Sequence, residues 1–186
     1  LDRTKTPLVV NSASSQVFEY VAEKHGVQIH EAPVGEANVV RTMMERGSLA
    51  GAEGSNGGLI LRKFNPTRDG GLLLMMVAEA VAQGGRPLGS LVSDYPTYFM
   101  AKLRFAMPSL PKPTFYTELA QLYESYQSDL RDGLKIKRQH EWIFFRASKT
   151  EPILRVIAEA KSKQRTEELI NDGEKKAMSL LVENES

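Results

Sequence analysis

The sequence predicts an α/β protein built in two parts, a layered α/β domain followed by a small α+β domain. Three observations carry this reading. Up to about residue 94, short apolar runs alternate with segments of helical period. Beyond that point period-two strands predominate, broken by a loop holding Pro108, Pro111 and Pro113, and a long helical pattern closes the chain. The 186 residues are 41% hydrophobic and 25% charged, the balance of a globular chain long enough to bury a core of its own.

Taken in order, Pro7 to Val10 reads as a short buried strand. Hydroxyls from Ser12 to Ser15 then offer N-caps to a helix carrying Val17, Tyr20 and Val21, and Gly26 stops it. Val27 to Ala32 alternates as a second strand. Asn38 to Arg46 forms a helix with Val39, Val40, Met43 and Met44 as its apolar stripe, ended by Gly47. Leu49 to Ala52 and Leu59 to Leu61 are strands on either side of a glycine-rich turn. The apolar run Leu72 to Ala82 is a helix, its stretch Leu72 to Met76 expected to be core, closed by Gly84-Gly85, and Leu88 to Val92 is a shorter one. In the second part Tyr98 to Phe105 is a strand and Phe115 to Tyr126 a helix. Leu134 to Lys137, Glu141 to Arg146 and Ile153 to Ala160 are strands, and Thr166 to Val182 is the closing helix. Along Glu141 to Arg146, Trp142 and Phe144 face one way, Ile143 and Phe145 the other.

Composition narrows the partners. With 24 basic and 23 acidic residues the net charge is +1, so no global field favours nucleic acid or an anionic membrane, and an anion site must be built locally. There is no cysteine, hence no disulfide, thiolate metal site or cysteine nucleophile; this suits the cytoplasm. No apolar run approaches the roughly 20 residues that span a bilayer. The start, Leu1 to Pro7, is polar, has no signal-peptide pattern and lacks Met, which raises the expectation of a piece of a longer protein. His25, His30 and His140 stand apart and are expected at the surface, outside any metal-ligand spacing. Trp142 is expected to pack rather than stack on a ligand, and Lys161 to Lys176 to form a solvated, mixed-charge helix face.

Two loops hold groups suited to chemistry. In Ala52-Glu53-Gly54-Ser55-Asn56-Gly57-Gly58 a carboxylate, a hydroxyl and an amide sit between glycines that let the backbone approach a ligand; such groups suit sugar hydroxyls, each both donor and acceptor. A tight polar hairpin explains the same residues. In Arg146-Ala147-Ser148-Lys149-Thr150-Glu151-Pro152, with Arg155 following, a guanidinium, two hydroxyls and an ammonium fall within five residues, a donor-rich concavity fit for phosphate. Glu151, extended before its proline, is placed to pair with Arg155; a solvated turn with a surface salt bridge is the alternative.

The segment Arg146 to Arg155 resembles the phosphate-binding loop of the α-D-phosphohexomutases, written Arg-x-Ser-x-Thr-Glu-Pro-x-x-Arg. Asp132-Gly133-Leu134-Lys135-Ile136 and Trp142 precede it as in that family. The Glu53 loop resembles the family's sugar-recognition loop, while Val34-Gly35-Glu36, Arg68-Asp69-Gly70 and Pro96 to Lys102 resemble further segments in the family's order. Lys149 stands where Gly or Asn is common, and the Glu53 loop carries both Ser55 and Asn56 where one such residue is usual. The resemblance therefore runs along nearly the whole chain.

That resemblance implies the third and fourth domains of a four-domain enzyme. Residues 1–94 would be a three-layer α/β domain III with the sugar-recognition loop. Residues 95–186 would be domain IV, a TATA-binding-protein-like α+β domain with an antiparallel sheet, two helices and the phosphate loop. For the whole enzyme it implies intramolecular phosphoryl transfer, interconverting hexose 6-phosphate and hexose 1-phosphate from a phosphoserine through a hexose 1,6-bisphosphate, with Mg2+. The phosphoserine loop and the Asp-x-Asp-x-Asp magnesium loop do not occur in this sequence, so it implies no catalytic or metal residue here. Glu53 with Ser55 or Asn56 would bind sugar hydroxyls, and Arg146, Ser148, Lys149 and Thr150 would grip the distal phosphate, with Arg155 bracing or helping to neutralise it. The partners implied are a hexose phosphate and the N-terminal domains of the same polypeptide, with the fragment alone inactive. A stand-alone sugar-phosphate-binding module is the alternative, and a scaffold for protein contacts a third reading.

Overall fold

A computed structural model describes residues 5–54, 58–107, 111–148 and 151–183. The chain divides into two compact units, Leu1–Thr97 and Tyr98–Ser186. The first contains β1 (Leu8–Asn11), α1 (Val17–His25), β2 (Ile29–Ala32), α2 (Glu36–Glu45), β3 (Ala50–Glu53), β4 (Gly58–Leu61), α3 (Gly70–Gly84) and α4 (Leu88–Val92). The second contains β5 (Phe99–Ala106), α5 (Phe115–Gln121), β6 (Gln127–Asp129), β7 (Leu134–Arg138), β8 (Glu141–Ala147), β9 (Ile153–Ala160) and α6 (Lys163–Glu183).

In the first unit the strand order is β2-β1-β3-β4. β1 runs parallel to β2 and β3, and β4 returns antiparallel to β3. Because β1 sits between two parallel neighbours, both its faces need cover, and its run Leu-Val-Val is apolar on both. Val9 meets Val39 and Met43 of α2 in a core that also takes Ala32 and Ile60. Of the stripe expected from the period of α2, Val39 and Met43 are buried and Val40 packs partly against them, whereas Met44 lies 58% exposed, beyond the edge of the buried face.

One expectation fails here. The run Leu72 to Met76 was expected to be core, yet α3 has no fully buried residue, and Leu74 and Met75 are 70% and 60% exposed. A helix apolar all round can turn only one stripe toward a sheet. Its main neighbours among the described elements are β4 and α4, and they half-cover Leu72, Leu73, Met76 and Val77.

The second unit has an antiparallel sheet of order β5-β9-β8-β7-β6. Alternation along each strand sends Leu103, Leu134, Ile136, Ile143, Phe145, Leu154, Val156 and Ala158 into one core. Phe115 and Leu119 of α5 and Leu169, Ile170, Ala177 and Leu181 of α6 complete it. The opposite face carries Trp142 and Phe144, both 2% exposed, with the Lys135 ammonium 4.8 Å from the Trp142 ring centroid. Trp142 therefore packs. His25 and His140 are exposed and His30 is half-buried.

The helix expected over Phe115 to Tyr126 stops at Gln121, and a strand, β6, follows it. The chain turns at Leu122 so that Tyr123 and Tyr126 meet edge-to-face, their centroids 5.9 Å apart. β6 is the short polar segment Gln-Ser-Asp at the sheet edge, and with no apolar alternation it leaves no trace in the hydrophobic pattern.

Gly133 joins β6 to β7 against β8. Its φ is +98°, and a Cβ there would lie 2.3 Å from the Phe145 carbonyl oxygen and 3.3 Å from the Arg146 Cα. Neither backbone can give way without breaking the sheet. Gly133→Ala is expected to destabilise the second unit by about 3 kcal/mol, strain and overpacking combined. Urea unfolding followed by the fluorescence of Trp142, the single tryptophan, checks this; an unchanged midpoint contradicts it.

Candidate functional site

In the second unit the residues of interest flank the turn between β8 and β9. These strands pair antiparallel, with Arg146 opposite Arg155 and Ala147 opposite Leu154. The amide of Ser148 donates to the Ile153 carbonyl at 2.8 Å, closing the intervening segment at its base. The Ala147 amide donates to the Tyr116 hydroxyl oxygen at 2.8 Å, and burial raises the Tyr116 phenol above its ordinary value, so it stays protonated. From the neighbouring edge, the Met107 amide donates to the Pro152 carbonyl at 2.7 Å. The described residues on either side of the turn, Ala147, Ser148, Pro152 and Ile153, are thus held through their backbone groups.

Arg146 is held individually. Its Nε donates to Asp132 Oδ1 at 3.1 Å, with both side chains largely covered. Gly133 makes this possible, because its close approach to Phe145 and Arg146 brings Asp132 alongside. One edge of the guanidinium is engaged, and its remaining N–H donors stay available for an anion. Ser148 is 6% exposed. The ion pair expected between Glu151 and Arg155 is not formed; both side chains are exposed, and Glu151 contributes its carbonyl, which accepts from the Ile153 amide at 2.7 Å. Lys149 and Thr150 lie outside the described residues.

In the first unit, Glu53 ends β3, directly opposite Gly58 of β4. It is only 4% exposed, and a buried carboxylate needs a partner. Arg68 supplies it, with Nη1 at 2.9 Å from Glu53 Oε2. The same guanidinium gives its Nε to Glu36 Oε2 at 2.6 Å, and the Thr67 hydroxyl donates to Glu36 Oε1. Gly58 is required at its place, since a Cβ there would lie 2.2 Å from Arg68 Cδ. Across the strand ends, Ser14 accepts from the Gly54 amide at 3.2 Å and donates to Asn11 Oδ1 at 2.8 Å. Ser55 and Asn56 lie outside the described residues. No local pattern in the sequence joins Glu53 to Arg68 and Glu36. The only available signal was opposite charge on two loops about 30 positions apart.

Glu53 offers lone pairs beyond the one Arg68 takes, so it can accept from ligand hydroxyls while remaining ion-paired. Among the described residues no group of three or more His, Cys, Asp or Glu gathers as a metal site, and no helix is long and apolar enough to cross a membrane.

Comparison with known proteins places these loops in context. Residues 2–98 match the family described as phosphoglucomutase/phosphomannomutase, alpha/beta/alpha domain III, and residues 103–175 match its C-terminal domain. A phosphoglucomutase/phosphomannomutase of Thermococcus kodakarensis is 31% identical over 168 residues, which cover 89% of this chain and 36% of that protein. A probable phosphoglucosamine mutase of Pyrococcus abyssi is 32% identical over 154 residues, covering 81% of this chain and 34% of that protein. The chain thus spans about a third of the length of these relatives. A crystal structure of a phosphoglucomutase/phosphomannomutase family protein from Burkholderia thailandensis shares the fold, with a TM-score of 0.74 at 16% identity, over 93% of this chain and 38% of that one.

The Glu36–Arg68–Glu53 group sets an acid response. The Thr67 hydroxyl first, and the Arg68 guanidinium next, hold the Glu36 carboxyl below its ordinary value. A carboxyl depressed in the folded state stabilises the fold above its unfolded value of about 4.3, and that stabilisation drains away as pH falls through the folded value. Thermal melts are expected to drop below about pH 4.3 in the wild type and to drop less steeply in Glu36→Gln. At pH 7 Arg68→Gln is expected to lower the melting temperature more than Glu36→Gln, because it strands a buried Glu53. Parallel pH curves, or the reverse ranking, contradict the network.

Proposed function

The chain belongs to the phosphoglucomutase/phosphomannomutase family, spanning its domain III and its C-terminal domain, and from that premise we propose that it supplies the substrate-holding part of a phosphohexomutase. The whole protein interconverts hexose 6-phosphate and hexose 1-phosphate through a hexose 1,6-bisphosphate, with Mg2+ and a phosphoserine contributed by preceding domains. The 186 residues alone bind hexose phosphate weakly and do not turn it over.

The observation that carries this reading is the fixed presentation of Arg146. Phosphoryl transfer needs little covalent help from the protein beyond positioning and charge compensation. A guanidinium held by Asp132 at 3.1 Å, beside a turn closed by the Ser148–Ile153 bond, meets the first need without further ordering. With Ser148, Lys149, Thr150 and Arg155 it grips the phosphate remote from the reacting end. Glu53, with Ser55 or Asn56, accepts from ring hydroxyls. Neither loop contains a residue assigned to C2, so mannose, glucose and glucosamine phosphates fall within one substrate class.

Calorimetric titration with mannose 1-phosphate and glucosamine 6-phosphate is the test. Arg146→Ala is expected to weaken binding about 10- to 100-fold, the range for a lost charge-assisted bidentate contact, and Lys149→Ala less, as a point charge on a flexible stem. Glu53→Gln is expected to weaken both sugar phosphates while leaving inorganic phosphate unaffected. No heat from either sugar phosphate in a folded sample, or equal losses for Arg146→Ala and Lys149→Ala, contradicts the assignment.

A further inference from the structure

The sheet of the second unit sets three arginines in one row. Arg104 of β5 is the register partner of Arg155 of β9, and Arg155 is the partner of Arg146 of β8. Register partners on adjacent strands project to the same face, and strands about 4.8 Å apart bring the three Cα atoms within about 10 Å. Like charges directly opposite one another destabilise a sheet. Arg146 is compensated by Asp132. Arg104 and Arg155 are both exposed, and among the described residues neither has a carboxylate within ion-pairing distance. Lys102 lies one turn of the pleat away on the same face of β5. A cavity of about 300 Å³ opens there, lined by Lys102, Leu103, Arg104, Arg155 and Ile157.

A row of guanidiniums that repel one another beside a cavity is a cost to the fold that an anion removes. We propose that Arg104, acting with Arg155 and Arg146, extends the phosphate site from the β8–β9 turn onto β5, and that its ligand is the phosphoryl group of a phosphorylated hexose. The proposal rests on the reading of the Arg146 to Arg155 segment as a phosphate loop, and adds a residue outside that segment. Guanidinium forks match phosphoryl oxygens bidentately. An arginine on a central stretch of β5 is held by the sheet, so it presents its donors from a rigid base rather than from a loop.

The full 186-residue chain is titrated with inorganic phosphate and with glucosamine 6-phosphate at low ionic strength, for the wild type, Arg104→Gln, Arg104→Lys and Arg146→Ala. Arg46→Gln, an exposed arginine of the first unit, controls for net charge. Arg104→Gln is expected to weaken both probes about 5- to 20-fold, with Arg104→Lys in between and Arg46→Gln near wild type. Melting followed by Trp142 gives an independent readout. Without phosphate, Arg104→Gln is expected to melt at or above the wild-type temperature, because repulsion is relieved; with phosphate, its upward shift is expected to be smaller. Binding within about twofold of wild type for both probes in Arg104→Gln overturns the proposal. If Arg146→Ala still loses binding in that case, the turn alone holds the phosphate. Loss in Arg104→Gln without loss in Arg146→Ala also overturns the proposal, because Arg146 is part of the row and of the site it extends. No wild-type binding of either probe overturns both.

Discussion

The pairing of β8 with β9 is the constraint on which the second unit's chemistry depends. It places Arg146 opposite Arg155 and closes the intervening turn at Ser148 and Ile153. A one-residue slip would move every side chain of β8 to the other face. Phe145 and Ile143 would leave the core, and Arg146 would be driven into it. The hydrophobic core and the face that carries Arg146 and Arg155 are thus specified by the same alternation. Gly133 adds the second fixed point, since only a residue without Cβ lets the turn before β7 touch the Phe145 carbonyl and deliver Asp132 to Arg146.

In the first unit a comparable task is solved by charge. Glu53 is buried at the end of a short strand, where an unpaired carboxylate would be expensive, and Arg68 reaches it by passing over Gly58. Arg68 is in turn shared with Glu36 at the start of α2. The sequence distances are long, yet the sheet order puts these segments side by side. Glycine at 58 therefore has a steric reason independent of any hairpin preference.

Much of this was legible in the residues, for identifiable reasons. Strands β7, β8 and β9 announce themselves because one face is mostly apolar, and the glycines after α1, α2 and α3 mark their ends. The turn with Arg146 was legible as a cluster of donors, and the Glu53 turn as an acid among glycines. What was not legible depends on tertiary context. β6 has no apolar residue to reveal it, and α5 gives way to a turn because two tyrosines find each other. The apolar run of α3 reads as core by composition, but composition does not say how much surface a neighbour offers. The partners of Glu53, and the Arg104–Arg155–Arg146 row, follow from register, which alternation alone does not fix between strands far apart in sequence.

The central claim, that the turn between β8 and β9 grips the phosphate of a hexose phosphate, is tested most directly by amide chemical-shift mapping of the isotope-labelled chain during titration with glucosamine 6-phosphate. The account predicts that the largest shifts fall on residues 146–155, with a second set at Glu53 and Gly54 that inorganic phosphate does not reproduce. Shifts absent from the 146–155 segment at saturating ligand, or confined to other surfaces, would contradict it.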